Sequence, residues 1–239
     1  MPKETICCIC RSGAVGYAAE YLAERGFHVT ENPGPDVTHL LLPVPSFSAG
    51  ADYLPFILAE LPDQVIVAGG NLDSAMLHGY RTVDFLRDPY YLADNAAITA
   101  ECALRIVEEK TELRGCSVLV LGWGRIGKCL GKLLQERGAD VTIAARKDAD
   151  LAMIHALGCK YAQIRSVDKN LTQYRVILNT VPSMILPEMV TAPEAVILEL
   201  ASKPGMQGDN IISARGLPGK MAPKKSGKLI VDTFVRLLM

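Results

Sequence analysis

Gly115-Cys116-Ser117-Val118-Leu119-Val120-Leu121-Gly122-Trp123-Gly124-Arg125-Ile126-Gly127 opens a stretch that continues as an amphipathic run to Gly138 and closes on Asp140-Val141-Thr142-Ile143-Ala144-Ala145-Arg146. An apolar strand, a G-x-G-x-x-G turn, a helix and a second apolar strand are the parts of a dinucleotide-binding βαβ unit. The glycines have separate tasks in such a unit. Gly122 turns the chain tightly out of the strand, Gly124 lets backbone approach a pyrophosphate without a Cβ, and Gly127 lets helix and strand pack closely. A helix from about Arg125 to Arg137, with Ile126, Leu130, Leu133 and Leu134 on its apolar face, aims its unpaired N–H groups at the phosphates. Gly122, Trp123, Gly124, Arg125, Ile126 and Gly127 are therefore the expected diphosphate grip.

The tip of the second strand bears on which dinucleotide is bound. NAD sites usually carry Asp or Glu about 20 residues past the glycines, whereas Arg accepts a 2′-phosphate. Here the strand ends in Ala145-Arg146-Lys147 with no carboxylate before Asp148. Arg146 and Lys147 favour NADP, with NAD as the alternative.

The 239 residues, 49% hydrophobic, suffice for one large or two small domains. Lys and Arg total 25 against 26 Asp and Glu, a net charge of -1, which speaks against a general nucleic-acid or membrane-surface binder. No run approaches the roughly 18 apolar residues of a membrane span, and Met1 to Cys10 lacks a signal-peptide core. Cysteines at positions 7, 8, 10, 102, 116, 129 and 159 form no paired C-x-x-C knuckles, and His28, His39, His78 and His155 supply no second ligand cluster. The expectation is structural thiols, no metal and a reducing cytoplasm.

Upstream of residue 90, apolar runs at Thr5–Cys10, Phe27–Thr30, Thr38–Leu42, Gln64–Ala68 and Thr82–Leu86 alternate with helical patterns at Ala14–Arg25 and Tyr53–Glu60. Downstream, strands are expected at 117–121, 140–144, 175–179 and 195–200. This predicts an α/β protein of two Rossmann-like, doubly wound parallel-sheet lobes with a cofactor cleft between them. The first lobe is residues 1–93, a linking helix occupies 94–113, and the cofactor-binding lobe is 114–239, ending in a closing helix over Ser226–Met239. The turn Arg11-Ser12-Gly13-Ala14-Val15-Gly16 lacks the G-x-G pair and reads as a strand-to-helix connection.

In doubly wound sheets ligands bind outside the carboxyl ends of the strands. That directs attention to Asn179-Thr180-Val181-Pro182-Ser183-Met184, to Ala201-Ser202-Lys203-Pro204-Gly205, and to the loop from Gly216 to Gly227. Thr180, Val181, Pro182 and Ala201 are expected at the nicotinamide end of the cofactor. Ser183, Lys203 and Lys224 are the candidates for substrate contact, with Lys225 as an alternative to Lys224.

These strings, Asn179 to Leu186, Leu200-Ala201-Ser202-Lys203-Pro204-Gly205 and Gly216-Leu217-Pro218-Gly219 through Ala222-Pro223-Lys224, closely resemble the dipicolinate synthase A-subunit family. Asp94-Asn95, Thr99-Ala100-Glu101 and the Gly122-Trp123-Gly124-Arg125 turn resemble it too, so the likeness covers about residues 88 to 239. The first 85 residues resemble it only in outline. Family members open with a Gly-Gly-Asp type turn where this chain has Cys10-Arg11-Ser12-Gly13, and Cys102 stands where glycine is expected. The resemblance implies oxidation of dihydrodipicolinate, formed from 4-hydroxy-tetrahydrodipicolinate by loss of water, to pyridine-2,6-dicarboxylate, with a pyridine nucleotide taking the hydride. It also implies a small dicarboxylate substrate, for which Lys203 and Lys224 or Lys225 are the candidate carboxylate partners and Ser183 the candidate hydrogen-bond donor, and the flavoprotein-like B-subunit of dipicolinate synthase as partner. Association between copies stays open.

Two other readings use the same parts. A D-2-hydroxyacid dehydrogenase has a comparable two-lobe plan but needs a late general base. The only histidine past the glycine turn is His155, early in that lobe and read as a surface or packing residue. The other is a nucleotide-sensing protein without turnover.

Overall fold

The computed structural model describes residues 4–9, 13–47 and 52–239. Cys10, Arg11 and Ser12, the last two being the first residues of the turn between the first strand and helix, lie outside the described residues. The chain divides into two compact units, one of residues 1–95 with 218–239, the other of residues 96–217.

The first unit carries β1 (Thr5–Cys8), α1 (Gly13–Glu24), β2 (His28–Thr30), β3 (His39–Leu41), α2 (Leu54–Leu58), β4 (Ile66–Gly69) and β5 (Arg81–Asp84). The strands form one parallel sheet in the order β2-β1-β3-β4-β5, the flavodoxin-like arrangement. Every residue of β1 and β3 is buried, as expected of parallel strands covered on both faces. One face packs Leu40, Leu42, Val67, Leu54 and Leu58 into a common core.

The second unit takes most of α3 (Pro89–Glu108), which starts where Asp88 accepts a hydrogen bond from the Tyr91 amide. It continues with β6 (Ser117–Leu121), α4 (Arg125–Glu136), β7 (Asp140–Ala145), α5 (Asp148–Ala156), β8 (Lys160–Gln163), β9 (Val176–Asn179), β10 (Val196–Glu199) and β11 (Ile211–Ser213). All pairings are parallel, in the order β11-β10-β9-β6-β7-β8. Counted along this unit, that is the 3-2-1-4-5-6 order of the Rossmann fold, with its reversal between β6 and β9. The predicted doubly wound sheets are thus present, with β8 and β11 as edge strands that the sequence reading did not delineate.

The final helix α7 (Pro223–Leu238), preceded by the short α6 (Leu217–Met221), requires a correction. Expected to close the 114–239 lobe, it packs instead within the first unit, against α1. The reason is close backbone approach. A Cβ on Gly227 would lie 2.6 Å from Tyr17 Cβ and 2.7 Å from the Ala14 carbonyl oxygen, so only glycine lets the helices meet at this distance. Phe234 is fully buried, edge-on to Phe27 and His39. Asp232 pairs with Arg25 and Lys228, and Arg236 with Asp88.

Candidate nucleotide site

The site is built where the strand order of the second unit reverses. β6 is apolar and buried from Val118 to Leu121, and the chain leaves it at Gly122 with φ of +104°, a conformation that an L side chain rarely adopts. A Cβ there would also press on Thr180 Oγ1 at 2.5 Å and Val181 Cγ2 at 2.9 Å. Thr180 fixes this junction, donating from both its amide and its hydroxyl to the Leu121 carbonyl, each at 2.9 Å. The turns after β6 and β9 therefore sit side by side at the carboxyl end of the sheet.

α4 begins at Gly124, whose extended backbone provides no side-chain cap. The first amides of the helix are left for an outside acceptor, which meets the partial positive charge of the helix end. A Cβ on Gly127 would overlap the Gly122 carbonyl oxygen, so this glycine is needed for helix and turn to pack at all. Gly124 contrasts with it: a Cβ there would meet nothing within 4 Å. The space beside Gly124 is open to a ligand, which is what a diphosphate against bare backbone requires.

A cleft of about 360 Å³ lies over this turn, lined by Gly122, Trp123, Gly124, Ala145, Arg146, Lys147, Asp150, Ile164, Thr180, Val181, Pro182 and Ser183. That volume is near the lower end of small-molecule sites, roughly 300–1,000 Å³. Three separate loops supply the wall: the glycine turn, the tip of β7 and the segment after β9; of the three loops that the sequence pointed to, 201–205 and 216–227 are not in its lining. Arg146 and Lys147 are exposed, and Lys147 precedes the first turn of α5. Asp150 and Ile164 complete the wall and were not anticipated.

The remaining expected residues are distributed differently. Arg125, Ile126 and Gly127 form the first turn of α4. Ala201 is buried behind the cleft, its amide bonded to Glu199. Lys203 is exposed on the loop after β10 and does not line the cleft, and Lys224 stands in the first turn of α7, in the other unit. Ser183 is the one substrate-contact candidate in the wall. His155 is exposed on α5, its ring edge-on to Tyr161 at 5.6 Å, which agrees with a packing role.

Behind the wall lies an arrangement that sequence reasoning missed. Glu199, 4% exposed, accepts hydrogen bonds from Asn179 Nδ2 (2.8 and 3.0 Å), the Ala201 amide (3.1 Å) and the Gly205 amide (2.8 Å). Asn179, fully buried, in turn accepts from the Val181 amide and donates to the Val181 carbonyl. An acid within the apolar run Ile197-Leu198-Glu199-Leu200 was the available sign, because a buried carboxylate must be satisfied by donors.

Elsewhere, Cys7, Cys8, Cys102, Cys116 and Cys159 are buried, and burial pushes the Cys7 thiol up to about 11 and raises Cys116, Cys129 and Cys159 as well. A second hollow, in the first unit, is lined by Asp73, Ser74, His78, Thr82, Asp84 and Arg87. Its Asp84 carboxylate already accepts from the amides of Asn71, Leu72 and Leu86 and so serves the local turns. Among the described residues, no helix is long and apolar enough to cross a membrane, and no His, Cys, Asp and Glu group could hold a metal.

The fold class is the two-unit parallel α/β one, and it is shared with a transhydrogenase from Sinorhizobium meliloti (TM-score 0.69, 15% identity, 92% of this chain and 79% of that one). Its nearer likeness is to the A-subunit of dipicolinate synthase. The structure of that protein from Bacillus halodurans has a TM-score of 0.80 at 22% identity, covering 100% of this chain and 99% of that one. The dipicolinate synthase A-subunit of Bacillus subtilis is 32% identical over 157 residues, 60% of this chain and 53% of that protein. The chain thus spans about half the length of the curated relative it matches. The resemblance read from the sequence is borne out by these matches. No family model matches the chain.

Proposed function

We propose that this chain is an NAD(P)-dependent dehydrogenase of the dipicolinate synthase A-subunit type, oxidising dihydrodipicolinate to pyridine-2,6-dicarboxylate. The observation that carries the reading is the cleft at the strand-order reversal, lined both by the Gly122–Gly124 turn, which is open beside Gly124 and leads into the uncapped start of α4, and by the cations Arg146 and Lys147.

In this reading the amides at the start of α4 hold the diphosphate, and Arg146 and Lys147 hold a 2′-phosphate, favouring NADP over NAD. Thr180, Val181, Pro182 and Ser183 form the wall for the nicotinamide end, with Ala201 behind it. A bound nicotinamide supplies the hydride acceptor. The chain's own task is then to orient a ring that gives up hydride from carbon and loses a proton, with aromatisation as the driving force. Ser183 donates to the substrate, and Lys203, on the loop after β10 of the same unit, is assigned to one of its carboxylates. The flavoprotein-like B-subunit is the proposed partner, and the cytoplasm the proposed location.

Trp123 is the sole tryptophan and lines the cleft. Its emission should be quenched by energy transfer on titration with NADPH, more tightly than with NADH. Silence of Trp123 together with empty calorimetric titrations for both cofactors would refute the reading. Turnover is followed as cofactor reduction with freshly generated 4-hydroxy-tetrahydrodipicolinate, with and without the B-subunit. Binding without reduction in either case would favour the nucleotide-sensing alternative.

A further inference from the structure

Resting on the cofactor reading above, we propose that Glu199 is a positioning residue for the nicotinamide end of the site: it holds the loops after β9 and β10 in one arrangement and thereby shapes the Thr180–Ser183 wall. The geometry is one of linked constraints. Glu199 lies at the last register position of β10, paired with Asn179 at the last position of β9. Both side chains are buried, so each hydrogen bond between them is made out of water, where an unmet donor or acceptor is costly.

From Glu199 the constraint runs in two directions. Toward β9, it fixes Asn179 Nδ2, and the Asn179 amide group in turn engages both the N–H (3.0 Å) and the C=O (3.1 Å) of Val181, a residue of the cleft wall. Toward β10, it draws in the amides of Ala201 and Gly205 and so folds the intervening loop back on itself. Gly205 closes the arrangement. A Cβ there would lie 2.7 Å from the Val181 carbonyl oxygen and 2.8 Å from that of Ser183, so the two loops touch backbone to backbone. The Gly205 carbonyl accepts from the amides of Ile185 and Leu186, which anchors the far end of the wall.

The chemistry at this point requires a group that only accepts. Asn179 Nδ2, Ala201 N and Gly205 N all donate, and a carboxylate alone offers an oxygen to each. A glutamine of the same shape cannot. With its nitrogen in place of Oε1 it faces Asn179 Nδ2 and Ala201 N; in place of Oε2, it faces Asn179 Nδ2 and Gly205 N. Either orientation opposes donor to donor. The wall from Val181 onward should relax, while the diphosphate grip at Gly122–Gly127, to which Thr180 stays tied through the Leu121 carbonyl, should not.

Two probes separate these ends of the site. ADP-ribose carries the adenosine and diphosphate but no nicotinamide; NADH and NADPH carry all three. In calorimetry, wild-type protein and Glu199→Gln are expected to bind ADP-ribose within twofold of each other, with the variant binding the complete dinucleotides at least tenfold more weakly. Equal weakening of both probes would mark Glu199 as a general fold element, and unchanged dinucleotide affinity would leave it no role in the wall; either overturns the proposal. A wild-type protein that binds neither probe would count against the cofactor site itself. If Glu199→Gln does not fold, Asn179→Ser, which leaves Glu199 its two backbone donors, is read by the same criterion.

Discussion

Gly124→Ala is the substitution that most directly separates binding from folding. At this position the backbone has φ of -78°, open to any L residue, and the added methyl meets no protein atom within 4 Å. Two small effects on stability oppose each other. Replacing glycine at a compatible conformation gains about 0.4–1 kcal/mol by restricting the unfolded chain. Alanine in place of glycine as a helix N-cap loses a comparable few tenths to 1 kcal/mol. The net change should stay within about 1 kcal/mol, which for a chain of this size moves the melting temperature by only about 2–4 °C. Only a ligand lying against that backbone would meet the methyl. Losing one charge-assisted hydrogen bond between amide and phosphate costs about 1.5–3 kcal/mol, a ten- to hundredfold rise in Kd. The assay pairs a thermal melt with calorimetric titration of NADPH, NADH and ADP-ribose. A variant with wild-type stability and Kd values within twofold of wild type would refute the claim that these amides grip a diphosphate.

Three further outcomes are expected. Arg146→Ala combined with Lys147→Ala should weaken NADPH at least tenfold while leaving NADH within twofold; parallel losses for both would remove these cations from any 2′-phosphate contact. Gly227→Ala forces a Cβ into Tyr17 and the Ala14 carbonyl and should lower stability by about 1–3 kcal/mol; an unchanged melt would contradict the close α1–α7 contact. The third concerns His39, 4% exposed, with Nε2 buried and without a hydrogen-bond partner. Burial pushes its pKa below the ordinary value, with Glu4 opposing and Arg81 adding to the shift. The unfolded chain then takes up the proton more readily, so the His39 contribution is complete above about pH 6.5 and is lost as pH falls below it. Stability curves of wild type and His39→Gln should converge on acidification; strictly parallel curves would rule this out.

The parts that sequence conveyed well were those with their own periodicity. β6, the glycine turn and α4 could be read because a strand buried on both faces is continuously apolar and a covering helix repeats every 3.6 residues. β11 has three residues and β8 is half polar, so neither carries a period. For α7, Leu229, Ile230, Thr233 and Phe234 announced an apolar face, but such a face says nothing about which sheet it covers. What decides that is Gly227, whose missing side chain fits Tyr17 and Ala14 about 200 residues upstream. The site divides similarly. Gly122, Gly124, Gly127, Arg146 and Thr180 follow strands in sequence and are candidates by that rule, whereas the Glu199–Asn179 link joins two strands and becomes visible only through their register.

The return of α7 to α1 also bears on biosynthesis. Residues 96–217 form a continuous segment that can become compact as soon as it leaves the ribosome, whereas α1 must wait for a partner encoded about 200 residues later. At about 5–20 residues per second that delay is roughly 10–40 s. During it the side of α1 at Ala14, Tyr17 and Ala18, on which Gly227 packs, lacks its final cover, so the unit translated first is the one finished last.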